Sequence, residues 1–273
     1  MMIHQRSIVI LLMLLYAAIR PLPAGAQSPY LLSATTDLPL AAGAVVTGGI
    51  ALKLRRGLDP LSLSEVDRLV REEVPAPDRA ALDWYSPALD RDSDFGMALC
   101  LLSPALLGLS ERGRSDVLVL GVLYAESLAL AYSSAYLLKG LTRRIRPYAY
   151  QDQVPMEVRR EEEARSSFPS GHATACFTAA SFLTTVYADY HPASTWREEV
   201  GYVSFGAATA VAWMRVRSGQ HFPSDVVAGA LIGSAAGWLV PRLHRSDRGT
   251  GPLLSYTPGR ITLLLPLGGR PGR

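Results

Sequence analysis

The chain has 273 residues, of which 49% are hydrophobic and 19% charged, a balance that excludes a disordered polypeptide. Its mean hydropathy of +0.16 is high for a soluble enzyme and low for a bare membrane bundle, which points to membrane segments separated by polar stretches. Twenty-seven basic residues against 24 acidic ones give a net charge of only +3, and the basic residues flank apolar runs instead of forming a stripe for nucleic acid.

In chain order, Met1 to Ser7 carries Arg6, Ile8 to Ile19 is apolar, and Pro21, Pro23 and Ala24-Gly25-Ala26 follow. This has the form of a secretory signal cut after Ala26. Twelve apolar residues make about 18 Å of helix, short of a hydrocarbon core of roughly 30 Å. Six further apolar stretches read as helices: Leu38 to Leu54, Phe95 to Leu109, Val117 to Leu138, His172 to Tyr187, Val200 to Met214 and Asp225 to Val240. Their length and Ala, Gly and Leu content exceed what strands show, and the small residues of Ala228 to Gly237 suit close packing of helices. The first two are the weaker spans, because of Pro39 and Lys53 in one and Pro104 in the other.

The predicted fold is therefore all-α, a membrane-embedded bundle of five or six helices with a charged active site at the helix ends. The predicted divisions are a signal at 1–26, an apolar helix and polar connector at 27–94, a helical core at 95–245 and a tail at 246–273. The connector holds an amphipathic helix around Leu61 to Val74, and the tail has no helical period. Cys100 and Cys176 lie in apolar runs and read as buried free thiols, neither a disulfide nor a metal pair.

Three polar clusters each sit at the end of an apolar helix. In the first, Lys139 and Arg146 lie about two turns apart, and Pro147 ends the helix. Taken alone, the same residues, with Arg143 and Arg144, also read as a positive anchor at a membrane boundary. In the second, Pro169-Ser170-Gly171-His172 opens a helix whose free N–H groups suit an anion, with His172 placed to give a proton to a leaving oxygen; its bland alternative is a serine cap beside an interfacial histidine. The third runs Arg215 to Asp225. There the carboxylate of Asp225, in a first helical turn, can reach back to His221 and leave the opposite ring nitrogen as base or nucleophile. Its alternative is an acid favoured by the helix dipole. Together the clusters supply cations and amides able to neutralise a phosphoryl group in transfer without a metal. No His-Glu-x-x-His, Cys-x-x-Cys or acidic cluster beside the histidines supports a metal centre.

Lys139-x6-Arg146-Pro147, Pro169-Ser170-Gly171-His172 and Arg215-x5-His221-x3-Asp225 resemble the three signature motifs of the type-2 phosphatidic acid phosphatase superfamily, which includes class A acid phosphatases and vanadium haloperoxidases. Met214 stands where the family commonly has Ser. The resemblance implies that His221 attacks phosphorus, Asp225 orients it, and His172 protonates the leaving group and later activates water. It implies that Lys139, Arg146, Ser170, Gly171 and Arg215 hold the phosphoryl oxygens, with no metal or cofactor. The choice of His221 as nucleophile also rests on Asp225 being the only acid placed to orient either histidine. His191 and His244 are read as interfacial or solvated, His4 as part of the signal, and the charge run Glu161 to Glu163 as solvated.

The expected substrate is a membrane lipid phosphate or diphosphate, with membrane lipids as surroundings and no nucleic-acid partner. A soluble-ester phosphatase or phosphotransferase, a vanadate-dependent haloperoxidase and a silent membrane protein are the other readings. If Leu38 to Leu54 stays out of the membrane, five spans put all three motifs on the periplasmic side, where the resemblance also implies they belong. If it crosses, parity moves the site to the cytoplasm unless Phe95 to Leu138 crosses only once.

Overall fold

The computed structural model describes residues 28–246 and the backbone of two strands at 253–257 and 260–264. The signal expected at 1–26 lies outside the described residues. Six long helices form the body: α1 (Ala34–Arg55), α2 (Pro87–Leu102), α3 (Val117–Thr142), α4 (Gly171–Tyr190), α5 (Arg197–Arg217) and α6 (Pro223–Leu243). Five of them contain one of the apolar stretches, extended by a few residues into the flanking polar sequence, whereas Phe95 to Leu109 is divided between α2 and the 3-10 turn that follows it. The all-α expectation holds for this body. The tail adds an antiparallel hairpin of β1 (Leu253–Thr257) and β2 (Arg260–Leu264), with Leu253 opposite Leu264.

Caps place several boundaries. Ser86 accepts a hydrogen bond from the Leu89 amide at 3.3 Å, with Pro87 as the first residue of α2. That helix tightens into a 3-10 turn over Ser103–Leu109, where Pro104 removes a donor. Arg143 closes α3 in the left-handed conformation, φ 47°, with its N–H on the Lys139 carbonyl at 3.0 Å. In the connector the amphipathic helix expected around Leu61 to Val74 is a single α-turn, Leu63–Val66, capped reciprocally by Ser62 and Glu65, followed by 3-10 turns.

The centre of the bundle is the contact of α4 with α6. A Cβ added at Gly229, Gly233 or Gly237 would meet the carbonyl oxygens of Ser170, Thr174 and Thr178 at 2.5, 2.3 and 2.4 Å. The three glycines, one turn apart, thus let two backbones touch, as packing without a hydrophobic drive requires. Cys100 and Cys176 are free and buried between α2 and α4.

Among the described residues, four segments are long and apolar enough to cross a membrane: Ala34–Arg55, Pro87–Leu109, Val117–Tyr150 and Pro223–Leu243. Leu38, Val45, Phe95, Leu102, Val203 and Leu231 point outward, as lipid contact demands. Arg217 lies over Trp213 at one end of the bundle and Arg242 over Trp238 at the other. These cation–aromatic pairs suit the two membrane–water boundaries.

The geometry favours the alternative in which Leu38 to Leu54 crosses, because Ala34–Arg55 is itself long and apolar enough to span. Leu31 and Tyr30 pair with His244 and Arg245 at the end of α6, while Arg55 at the other end of α1 binds Glu163 beside the site. The helix α1 therefore runs beside the C-terminal part of α3, from Asp37 near Glu126 to Leu54 against Gly140. Pro39 falls near its start and Lys53 in its last turn, where neither opposes a span. The polar site and residues 28–33 consequently occupy opposite ends. Cleavage of an export signal after Ala26 and an outward-facing site exclude one another in this arrangement.

Candidate active site

The three clusters converge at one end of the bundle, under a cap built from the connectors. Leu61, Val66, Tyr148, Ala149, Val154 and Ala164 form the apolar centre of that cap. A second cluster, Val74, Ala81, Leu82, Val216 and Phe222, ties it to the loop between α5 and α6. This loop turns on Gly219, whose φ of +74° and position 2.4 Å (Cβ) from the Trp84 carbonyl oxygen leave no room for another residue.

Within it His221 is 1% exposed. Its Nδ1 lies 2.7 Å from the Ser167 carbonyl oxygen. A carbonyl only accepts, so Nδ1 carries the proton and Nε2 keeps a lone pair. Burial, then the positive charges of Arg146, Lys139 and Arg215, hold the pKa of His221 well below the ordinary histidine value. The ring is thereby held neutral, with a lone pair at Nε2.

Asp225 does not orient His221 by direct contact. Its Oδ2 stands 3.7 Å from Nδ1 and instead accepts hydrogen bonds from the Ser167 hydroxyl and, at 2.8 Å, the Phe222 amide. The carboxylate thus fixes the Ser167 residue whose carbonyl fixes the ring. Its Oδ1 accepts from Arg144 at 2.6 Å. Arg144 extends to Asp78 at 2.7 Å and to the Ser224 hydroxyl at 2.7 Å, and Asp78 also receives the Ser224 amide and hydroxyl. Arg144, legible from sequence only as a boundary anchor, is the hinge of this network.

Lys139, buried in the last turn of α3, donates to the Ser166 carbonyl. Arg146 donates from Nε to the Glu163 carbonyl at 2.9 Å, and from its terminal nitrogens to Gln220 and the Glu163 carboxylate. Glu163, expected to be merely solvated, is thus a partner of Arg146 and Arg55. Arg215 pairs with Asp90 and with Ser93 Oγ at 3.0 Å; its Nε is buried without a partner.

Ser170 caps α4, its hydroxyl accepting from Ala173 N at 3.4 Å, and its own amide is on the Asp225 carbonyl at 2.9 Å. Nothing lies within 4 Å of a Cβ built at Gly171, so open space adjoins the amides at the start of α4. His172 Nε2 lies 2.7 Å from Asp94 Oδ1. The view that Asp225 is the only acid able to orient either histidine is therefore overturned: each histidine has its own carboxylate, one direct and one through Ser167. Asp90 and Asp94, a helical turn apart on α2, left no sequence signal of this.

His244 is also corrected. It is buried, not solvated, with Nε2 2.6 Å from Asp37 Oδ1, at the far end of the bundle. His191 is half-buried against Tyr187, ring centroids 4.7 Å apart.

Residues 120–248 match the family model described as the PAP2 superfamily. The bacitracin transport permease protein BcrC of Bacillus licheniformis is 34% identical over 87 residues, 30% of this chain and 38% of that protein. The undecaprenyl-diphosphatase of Sulfolobus acidocaldarius is 28% identical over 149 residues, 55% of this chain and 63% of that protein. The chain thus spans less than two thirds of either relative. A solved transmembrane PAP2-type phosphatidylglycerolphosphate phosphatase from Bacillus subtilis is similar at 19% identity and TM-score 0.45, over 76% of this chain and 95% of that one. Aquifex aeolicus LpxE is similar at 22% identity and TM-score 0.43, over 64% of this chain and 99% of that one.

Proposed function

We propose that this chain, a PAP2-superfamily member over residues 120–248, is a metal-independent phosphatase that hydrolyses a membrane lipid phosphate or diphosphate through a phosphohistidine. The observation that carries the reading is the buried His221 ring, its Nδ1–H tied to the Ser167 carbonyl and its Nε2 left bare among Lys139, Arg146 and Arg215.

In this mechanism Nε2 of His221 forms a bond to phosphorus as the bond to the leaving oxygen breaks. His172 gives that oxygen a proton, its other ring nitrogen being held by Asp94. A water molecule then attacks the phosphohistidine, gives its proton to His172, and releases inorganic phosphate with the P–N bond pair returning to His221. Lys139, Arg146, Arg215 and the Gly171 amide balance the charge on the equatorial oxygens, while Ser170, whose own amide is taken by the Asp225 carbonyl, holds the start of α4 in place. The placing of this site at the polar ends of membrane-length helices favours a substrate whose phosphate sits at headgroup level, and the named undecaprenyl-diphosphatase relative agrees with that class. The test is phosphate release by detergent-purified protein, in EDTA, from phosphatidic acid, phosphatidylglycerol phosphate, undecaprenyl diphosphate and para-nitrophenyl phosphate. Turnover of at least one lipid is expected. Silence on every lipid overturns the reading.

The same proposal places the site outside the cell membrane, the side that the family resemblance implies, and therefore residues 28–33 in the cytoplasm. Because Cys100 and Cys176 are buried, introduced cysteines report cleanly. In intact cells, Asp152→Cys, on a fully exposed side chain at the site end, is expected to react with a membrane-impermeant maleimide, and Ser33→Cys only after lysis. The reverse pattern turns the site inward.

A further inference from the structure

We infer that Asp37, Glu126 and His244 form a binding site for a divalent cation of the zinc class, at the end of the bundle opposite the phosphate site. The three residues come from the first turn of α1, the middle of α3 and the end of α6, and one donor atom from each lies within 4.8 Å of the others. Glu126 is 13 residues before Lys139 on one helix, which sets this cluster roughly 20 Å from the phosphate-binding cations.

The hydrogen bonds favour a cation over a shared proton. His244 Nδ1 lies 2.8 Å from the Val240 carbonyl oxygen, so Nδ1 carries a proton, and Nε2 either bears a second proton or, as a ligand, a lone pair. Histidine ligands of metals are commonly fixed by such a backbone bond on the other ring nitrogen. Nε2 faces two carboxylates at once, Asp37 Oδ1 at 2.6 Å and Glu126 Oε2 at 3.3 Å. One extra proton on Nε2 satisfies one of them. Glu126 Oε2 is shielded from solvent and has no hydrogen-bond partner, the costly state for a charged oxygen. A divalent ion satisfies both oxygens and the imidazole together.

The dimensions are compatible. Tetrahedral zinc, with bonds to nitrogen and oxygen near 2.0–2.2 Å, holds neighbouring ligand atoms about 3.3 Å apart, the spacing Glu126 already has from Nε2. Asp37 must withdraw by less than about 1 Å, and its side chain is 26% exposed, so it is free to do so. One nitrogen and two carboxylate oxygens leave a fourth position for water. Such an ion joins three helices at the end where residues 30 and 31 also pair with the end of α6, and acts as a structural staple.

Tag-free protein in detergent, equilibrated with micromolar zinc and desalted, is expected to retain about one zinc per chain by mass spectrometry, and Glu126→Gln less than about a tenth of that. EDTA is expected to lower the wild-type Tm by on the order of 5 °C and to leave that of Glu126→Gln unmoved. Should Glu126→Gln fold poorly, Asp37→Asn, at a partly exposed position, makes the same comparison. Wild-type protein without stoichiometric zinc, or zinc undiminished in both variants, overturns the site and leaves a protonated His244 paired with Asp37. Zinc content and Tm are read without any substrate, so the failure of this site and the failure of phosphate release are separate results.

Discussion

His221→Ala is expected to lower phosphate release by about 10⁴-fold or more, with the far-ultraviolet spectrum and detergent elution of the wild type retained. The size follows from the chemistry. No second group is placed to attack phosphorus, because His172 is committed to Asp94 and Lys139 to the Ser166 carbonyl. Since His221 is pushed below the ordinary histidine range by burial and three nearby cations, it stays neutral as pH falls through 6.5. The acid limb of kcat/KM that belongs to it therefore lies well under that value, and lowering the pH through the usual histidine range leaves the nucleophile available. A rapid alkaline, denaturing quench of the wild type with labelled para-nitrophenyl phosphate is expected to trap an acid-labile, base-stable phosphoprotein. In His172→Ala the trapped fraction should rise, because nitrophenolate leaves unaided while attack of water on the P–N bond has lost its base. Retention of more than about a hundredth of the activity in His221→Ala would sink the covalent route.

The histidines and the cations were legible because phosphate transfer needs particular residue types and because local chain geometry brings them to helix ends. Ser170 at a cap, Pro147 after Arg146 and Pro223 before Asp225 are all local signals. What could not be read depends on how helices face each other. Asp94 meets His172 across the contact of α2 with α4, 78 residues apart. Asp37 meets His244 across 207 residues, and a histidine beside Arg245 has no local mark of burial. The contribution of Asp225 was read one step too directly: the (i, i+4) spacing to His221 brings the groups to 3.7 Å, but Ser167 takes the intervening position. In an isolated helix Pro39 and Lys53 count against a span. Lys53 stands in the last turn, from which its amine can reach the interface, and Pro39 is carried inside the helix within its second turn.

Arg144 supplies the sharpest test of how the site is held, because removal of its guanidinium leaves two acids facing each other without a cation. Asp225 is fully buried and Asp78 is 3% exposed; the side chain between them is planar, forked and stacked over Phe222 at 4.1 Å. Breaking a buried pair in this way costs about 3–5 kcal/mol, so Arg144→Ala is expected to lower stability by that order and kcat by about 100-fold, through displacement of Ser167 and with it the His221 ring. Arg144→Lys keeps the charge but cannot reach Asp78, Ser224 and Asp225 together, and should recover only part of the loss. Burial alone would raise the Asp78 carboxyl, but hydrogen bonds from Arg144 and Ser224 hold it below its ordinary value. Asp78 is thus charged above the usual carboxylate range, and its share of stability is lost only as pH falls through the depressed value. With Asp78→Asn as the second arm of a double-mutant cycle, the combined cost should fall short of the sum of the single costs, since removing both partners leaves less charge stranded. A positioning residue lowers kcat and leaves KM nearly unchanged. If instead KM rises with kcat intact, Arg144 holds the substrate phosphate directly, and the network from Asp78 to His221 is structural alone.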